Sequence, residues 1–81
     1  MAHLTFFTRK GCHLCDVALE ALEPFRARYD FSFEIIDLDH QASAEKLTKY
    51  TDQVPVIELD GRKIMKYRVE PERLQRLLDL A

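Results

Sequence analysis

Two cysteines are the residues of this 81-residue chain whose type and spacing could do chemistry. They stand three apart in the run Cys12-His13-Leu14-Cys15, and the chain has no others. A disulfide between them would close too small a loop to stabilise a fold much, because the stabilisation grows with loop length. Small secreted domains that depend on disulfides usually contain four or more cysteines. The pair therefore indicates thiol–disulfide exchange rather than a structural cross-link.

The pair is predicted to stand at the beginning of a helix, where the backbone favours a thiolate over a thiol. The first N–H groups of a helix have no partner within it, and the helix dipole adds partial positive charge. We expect both effects to lower the pKa of the Cys12 thiol and to make it the attacking sulfur. Cys15 lies one turn later on the same side, close enough to form a disulfide with Cys12. It is expected to be the more shielded, resolving thiol.

Charged side chains around the pair are expected to tune it in opposite directions. Arg9 and Lys10 add positive charge just before Cys12, whereas the carboxylate of Asp16 disfavours a second negative charge nearby. His13 either favours the thiolate when it is protonated or is a solvated loop side chain. These opposing charges leave the redox potential open.

Metal binding is a second interpretation of the pair. A closed zinc site needs four ligands, and the other candidates are His3, His13 and His40. An iron–sulfur cluster would need thiols from a second chain or from glutathione. An inactive remnant is a third interpretation. Of the three, the position of the motif favours a redox pair, and we predict no bound metal and no bound cofactor.

The composition is that of one ordered domain spanning residues 1–81. It has 47% hydrophobic and 32% charged residues with only two glycines and three prolines, which excludes a disordered chain. No apolar run approaches the roughly 18–20 residues of a membrane span. A net charge of −2 argues against nucleic acid as a partner. Because no secretory signal is evident, we expect a cytoplasmic protein, and we expect a monomer.

Apolar periodicity in the first half of the chain predicts a strand, a helix and a second strand. The aromatic-rich run 3–7 suits a buried strand, and the run 31–38, rich in Phe and Ile, suits another. Between them a helix should open near Cys12, with Pro24 kinking it or starting an irregular last turn. The apolar stripe predicted for this helix comprises Leu14, Val17, Ala18, Ala21, Leu22 and Phe25.

The second half predicts a short helix, a hairpin and a final helix. Ser43 is expected to cap a helix over 44–50. Asp60-Gly61 divides the strand-like residues 54–67, which is a strong hairpin signal, and Pro71 suits the first position of the last helix. The buried stripe predicted for that helix comprises Leu74, Leu77, Leu78 and Ala81. The basic residues that place the last strand at a sheet edge are Arg62, Lys63, Lys66 and Arg68.

The predicted order is βαβ, then α, then ββα, which is an α/β fold. A βαβ unit implies two parallel strands joined by a right-handed crossover, and a hairpin adds two antiparallel strands. The expected architecture is a four-stranded mixed sheet with three helices distributed over both of its faces.

With these elements in place, the sequence resembles the glutaredoxins and other small thioredoxin-like proteins. The run Thr8-Arg9-Lys10-Gly11-Cys12-His13-Leu14-Cys15 after an N-terminal strand is similar to their active-site loop. Val54-Pro55 before the hairpin is similar to their Val-Pro. The order of elements and the length agree over essentially the whole chain. The two residues between the cysteines, His13 and Leu14, are more similar to those of small glutaredoxin-like proteins than to the Pro-Tyr of typical glutaredoxins.

The resemblance implies a thioredoxin fold and thiol–disulfide exchange with Cys12 as the nucleophile. It implies that Pro55 is cis and faces the cysteines, and that the backbone of Val54 pairs with an extended thiol substrate. It also implies a role for Arg9, which matches a position that is commonly basic in the family and lies near the glutathione carboxylate.

The region after the hairpin departs from the family. Typical members have a Gly-Gly pair there, followed by a polar residue and Asp, which bind the γ-glutamyl end of glutathione. This chain reads Met65-Lys66-Tyr67-Arg68-Val69 instead, so bulky side chains replace backbone that a ligand could approach closely. Glutathione is retained as a candidate electron donor, but we do not expect it to bind in the family's manner.

The sequence therefore predicts a thiol–disulfide oxidoreductase that acts on protein or low-molecular-weight thiol substrates, with electrons from glutathione or a reductase. The alternatives are a redox-silent binding module that uses the groove at Val54-Pro55, and a carrier of a metal or an iron–sulfur cluster. The predicted site residues are Cys12 and Cys15 for catalysis, Arg9, Val54 and Pro55 for substrate binding, and Lys10 and His13 for tuning.

Overall fold

The computed structural model describes residues 2–80, and its elements follow the predicted order, with boundaries within two residues of those predicted. The strands are β1 (Ala2–Thr8), β2 (Phe31–Asp37), β3 (Val56–Leu59) and β4 (Arg62–Lys66). The helices are α1 (His13–Arg28), α2 (Ala44–Tyr50) and α3 (Pro71–Leu80).

The four strands form one mixed sheet in the order β2-β1-β3-β4. β1 pairs in parallel with β2 and antiparallel with β3, and β3 pairs antiparallel with β4. The β3–β4 turn has positive φ at both Asp60 (53°) and Gly61 (85°), as a two-residue hairpin turn requires. The predicted hairpin and the edge position of β4 are confirmed. The central strand β1 leads directly into the loop that carries the cysteines.

Side chains alternate across the sheet and build a core on each face. Leu4 and Phe6 of β1 lie on the face covered by α1 and α3, and Phe7 lies on the face covered by α2. The first core also contains Cys15, Ala18, Leu22, Phe25, Ile57, Leu74 and Leu78, and the second contains Leu38, Tyr50 and Val56. The predicted arrangement of one sheet with helices on both faces is therefore confirmed. None of the helices in residues 2–80 is both long and apolar enough to cross a lipid bilayer.

The predicted apolar stripe of α1 is wrong at its first two positions. Leu14 and Val17 are 52% and 50% exposed, whereas Cys15 is 1% exposed and stands on the inward face. A helix turns about 100° per residue, so burying Cys15 and Ala18 turns Val17 outward. Pro24 lies inside α1 without ending it. Ala81, predicted in the stripe of α3, lies outside the described residues.

Candidate functional site

Cys12 is the N-cap of α1, and the helix therefore begins next to Cys12, where the sequence predicted. Its φ of −87° and ψ of 104° are extended, and its Sγ accepts a hydrogen bond from the backbone N–H of Cys15 at 3.1 Å. That N–H belongs to the first turn, where a helix offers donors without partners of its own. A backbone dipole therefore points at the sulfur, and it favours negative charge there.

The two cysteines are joined as a disulfide, and they differ in exposure. Their Cα atoms lie 5.2 Å apart. Cys15 is 1% exposed and belongs to the core between the sheet, α1 and α3, whereas Cys12 is partly exposed and packs against that core from outside. An external thiol or disulfide can therefore reach Cys12 and not Cys15.

A tight loop sets the position of Cys12. Its N–H donates to the carbonyl oxygen of Arg9 at 3.2 Å, which closes the turn between β1 and α1. Gly11 has a φ of 78°, and a Cβ built there would meet nothing within 4 Å. Glycine is thus needed at this position for its backbone conformation rather than for space.

Arg9 is held by other parts of the chain. Its Nε and one Nη donate to the two carboxylate oxygens of Asp39 at 2.9 and 3.0 Å. Its Nη groups also donate to the backbone oxygen of Thr51 at 2.7 Å and to its Oγ1 at 3.0 Å. Four of the five guanidinium N–H groups are engaged in this way, which leaves one for a ligand. The substrate-binding role of Arg9 stays a prediction, and its evident role is to tie the cysteine loop to residue 51.

Sequence reasoning missed Asp39 and Thr51, which are thirty and forty-two residues from Arg9. One signal could have found the first of them. Arg9 is the first residue after β1 and Asp39 the second after β2, and these two strands are parallel, so they end at the same edge of the sheet. Nothing comparable in the sequence indicates Thr51.

Val54 and Pro55 lead into β3 at the edge of the sheet where β1 leads into the cysteine loop, since Val56 pairs with Phe7. The peptide bond between them is cis, the side chain of Pro55 is fully buried, and Val54 packs against the same core as Cys12. The carbonyl oxygen of Pro55 accepts the N–H of Tyr67 at 2.8 Å. Tyr67 has a φ of 72°, so the backbone after the hairpin adopts a conformation typical of glycine while carrying a half-exposed ring.

The two residues predicted to tune the thiolate are both exposed. Within residues 2–80, no side-chain hydrogen bond or ion pair involves Lys10 or His13. Their effect on Cys12 stays a prediction. In the same range, no three His, Cys, Asp or Glu side chains are placed to hold a metal ion.

A buried carboxylate lies under α2, outside the cysteine site. Glu58 is 4% exposed, and its Oε2 accepts hydrogen bonds from Lys46 at 2.5 Å and from the Tyr50 hydroxyl at 2.6 Å. The hydrogen bond to Glu58 raises the pKa of Lys46 against the opposing effect of burial. Burial, and then the bond to Glu58, raises the pKa of Tyr50. This group joins α2 to β3, the strand that Val54 and Pro55 lead into.

Comparison with known proteins agrees with this geometry. The model of the glutaredoxin-like domain family (DUF836) matches residues 3–79. The chain is 34% identical over 76 residues to the "Glutaredoxin-like protein YDR286C homolog" of Dictyostelium discoideum, covering 89% of this chain and 70% of that protein.

Two solved structures share the architecture. The X-ray structure of protein XcR50 from X. campestris has a TM-score of 0.71 at 35% identity and covers 96% of this chain and 97% of that one. The oxidised form of mitochondrial thioredoxin 3 from Saccharomyces cerevisiae has a TM-score of 0.72 at 20% identity, covering 99% and 78%. The thioredoxin fold is thereby confirmed. With a family match over nearly all of its length and a Cys-x-x-Cys pair at the start of α1, the chain belongs to the glutaredoxin-like domain family.

Proposed function

We propose that the protein is a thiol–disulfide oxidoreductase. The observation that carries this proposal is the asymmetry of the pair: Cys12 is partly exposed with a backbone N–H on its sulfur, and Cys15 is buried beside it. An exposed, stabilised thiolate is suited to attack, and a shielded neighbour is suited to resolve the product.

The cycle needs no bound cofactor. The Cys12 thiolate attacks one sulfur of a substrate disulfide, which forms a mixed disulfide and releases the other substrate half as a thiolate. Cys15, after losing its proton to solvent, then attacks the Sγ of Cys12 and expels the second half. Two electrons pass to the substrate, and the Cys12–Cys15 disulfide remains. A thiol donor, either glutathione or a reductase, returns the pair to the dithiol in a reducing compartment such as the cytoplasm.

Substrate binding at Val54 is part of the proposal. Val54 packs against the same core as Cys12, and its backbone would pair with an extended segment around the substrate cysteine. The half-exposed side chains of Leu14 and Val17 add apolar surface on the same helix as the pair. Such surface near an exposed sulfur is suited to a polypeptide or thiol with an apolar flank.

The test is a redox titration in glutathione buffers, read by intact mass after thiol trapping. We expect one two-electron transition between about −180 and −280 mV, the range of known carriers. Cys15→Ser should accumulate a mixed disulfide on Cys12, and Cys12→Ser should lose turnover. A chain that forms no Cys12–Cys15 bridge at any potential is not an oxidoreductase. Retention of a bound partner by Cys12→Ser, without turnover in the wild type, would identify a binding module instead.

A further inference from the structure

Five cations line a surface that runs from β4 onto α3, and we call it the cationic strip. It borders two adjoining cavities of about 380 and 450 Å³, which share Arg68, Glu70 and Arg73. The cations are Lys63, Lys66, Arg68, Arg73 and Arg76, against the two carboxylates Glu70 and Glu72. The strip therefore carries a net charge of +3 on a chain whose net charge is −2.

Most of these cations have no ionic partner. Arg73 pairs with Glu70 at 3.5 Å and donates to the carbonyl oxygen of Ile64, and Lys63 donates to the amide oxygen of Gln53 at 3.0 Å. The ammonium of Lys66 lies 5.3 Å from the centre of the Tyr67 ring. Within residues 2–80, the cations of the strip that form no ion pair are Lys63, Lys66, Arg68 and Arg76.

The strip begins next to the candidate substrate site. Tyr67 donates its N–H to Pro55, and Lys66 stands opposite Val56 in the β3–β4 pairing. Neighbouring strands lie roughly 4.8 Å apart. A substrate held at Val54 with its sulfur at Cys12 would therefore have the strip within reach of its flanking residues.

The length of the strip fits a polypeptide better than a small thiol. Residues 63–66 of β4 extend over roughly 10 Å and residues 71–76 of α3 over roughly 8 Å, and the cavities follow both. Nucleic acid fits less well, because a long polyanion would also meet the excess negative charge on the rest of the chain.

Resting on the oxidoreductase function proposed above, we propose that the strip recognises an acidic segment beside the disulfide of a polypeptide substrate. An exposed ion pair changes affinity by roughly two- to fivefold at low salt. A substrate whose carboxylates pair with two of the four cations that lack ionic partners should therefore have a kcat/KM roughly tenfold higher than that of a neutral substrate.

The experiment uses two synthetic peptides of equal length, each joined to 2-thiopyridine through the disulfide of one cysteine. Glutamates flank the cysteine in one peptide, and glutamines flank it in the other. The reduced protein converts each peptide to a free thiol, releases pyridine-2-thione and gains its own Cys12–Cys15 disulfide. For the wild type we expect the second-order rate constant of this reaction, which corresponds to kcat/KM, to be roughly tenfold higher with the acidic peptide at low salt. The preference should vanish near 1 M salt, where charges are screened beyond about 3 Å.

The variant Lys66→Glu with Arg68→Glu should lose the preference and keep its rate with the glutamine peptide. The matched control is Arg26→Glu with Arg28→Glu, which changes the net charge equally at the far end of α1, roughly 20 Å from Cys12. The control should keep the preference. A small uncharged disulfide, 2-hydroxyethyl disulfide, should be reduced by the strip variant as fast as by the wild type.

Three outcomes would overturn the proposal. They are equal wild-type rates with both peptides at low salt, loss of the preference in the control as well, and a loss with 2-hydroxyethyl disulfide as large as with the acidic peptide. The salt dependence of the wild type needs no substitution, so poor folding of a variant cannot hide the answer. Reduction of no peptide at all would instead contradict the oxidoreductase function itself.

Discussion

Two groups of cations adjoin the candidate site, Arg9 in the cysteine loop and Lys66 with Arg68 beside Pro55, and they differ in what they touch. Arg9 gives four of its five donors to Asp39 and Thr51, and its side chain is 29% exposed. On the other side of β1, Lys66 ends the edge strand β4 and Arg68 follows it, and both are exposed without ionic partners among the described residues. A cation whose donors are already hydrogen-bonded stabilises and positions the chain, whereas a cation without an ionic partner is free to bind a ligand.

Arg9 acts on the site through its position. Its carbonyl oxygen accepts the N–H of Cys12, and its guanidinium binds Thr51, four residues before Pro55. One residue thus holds the two loops that must meet for catalysis in a fixed relation. We therefore expect Arg9 to be a positioning residue for every substrate, and the cationic strip to discriminate among substrates by charge.

The largest effect that separates these roles is expected for Arg9→Ala. It removes charge-assisted hydrogen bonds of the kind worth roughly 1.5–3 kcal/mol, so the unfolding free energy should fall by about 2 kcal/mol. For a domain of this size that lowers Tm by roughly 10 °C. The rate kcat/KM should fall equally for acidic and neutral peptides. Denaturant titration and the peptide assay measure the two effects.

Arg9→Lys is the control for charge alone. Lysine keeps the positive charge, but it lacks the planar group that binds the two oxygens of Asp39 together. It should recover less than half of the lost stability. Full recovery with lysine would mean that Arg9 acts as a simple charge, and a rate loss confined to acidic peptides would assign Arg9 to substrate binding.

A stability loss of intermediate size is expected when the ion pair between Lys46 and the buried Glu58 is removed. Glu58→Gln should cost roughly 1–2 kcal/mol at neutral pH, because Lys46 and Tyr50 lose a charged acceptor. The pKa values of Lys46 and Tyr50 are both raised in the folded chain. The folded state therefore binds more protons than the unfolded state above about pH 10. Their contribution to stability is complete below that pH and is lost as the pH rises through the folded values.

The measurement is the unfolding free energy between about pH 8 and pH 11 for the wild type and for Glu58→Gln. The alkaline decline should be shallower in the variant, since the main cause of the raised pKa of Lys46 is gone. Both chains should carry Tyr29→Phe. The pKa of Tyr29 is itself raised, mainly by its hydrogen bond to Asp79, and it would titrate in the same range. Equal slopes would show that Glu58 does not set these pKa values.

A smaller effect is expected for Gly11→Ala, which changes the backbone conformation of the cysteine loop without removing the contacts of Arg9. Gly11→Ala places a Cβ at a φ of 78° with no neighbour within 4 Å, so only backbone strain of about 1 kcal/mol is expected. Gly61→Ala is its match in the hairpin, at a φ of 85° and also in open space. The two variants should lose similar stability, but only Gly11→Ala should lower kcat/KM. Equal kcat/KM values for the two variants would show that the cysteine loop tolerates an alanine at position 11.

Much of the fold could be predicted because local signals agreed with one another. Asp60-Gly61 has the positive φ values that its hairpin requires, and Ser43 caps α2 by accepting the N–H of Lys46 at 3.2 Å. The beginning of α1 near Cys12 was also predicted, although the first two apolar positions of its stripe, Leu14 and Val17, are exposed. Each of these depends on a few neighbouring residues, which a sequence displays directly.

What the sequence did not show depended on distant contacts or on helix phase. The partners of Arg9, Asp39 and Thr51, come from other loops, so no local pattern indicates them. Leu14 and Val17 were assigned to the core, because an apolar residue beside an apolar stripe does not reveal which way the helix is turned. That phase is decided by the burial of Cys15, a residue that belongs to the core as well as carrying a reactive thiol.

The smallest effect on stability and kcat/KM is expected for Lys66→Ala, the counterpart of Arg9→Ala in the cationic strip. Lys66→Ala removes an exposed side chain with no ionic partner among residues 2–80, so the unfolding free energy should stay within about 0.5 kcal/mol of the wild type. Its kcat/KM should fall by roughly two- to fivefold with the acidic peptide, as for one exposed ion pair, and stay unchanged with the glutamine peptide. A stability loss near that of Arg9→Ala would mean that Lys66 is structural. The two groups of cations would then differ in exposure alone, and the charge preference would have to come from Arg68 and its neighbours on α3.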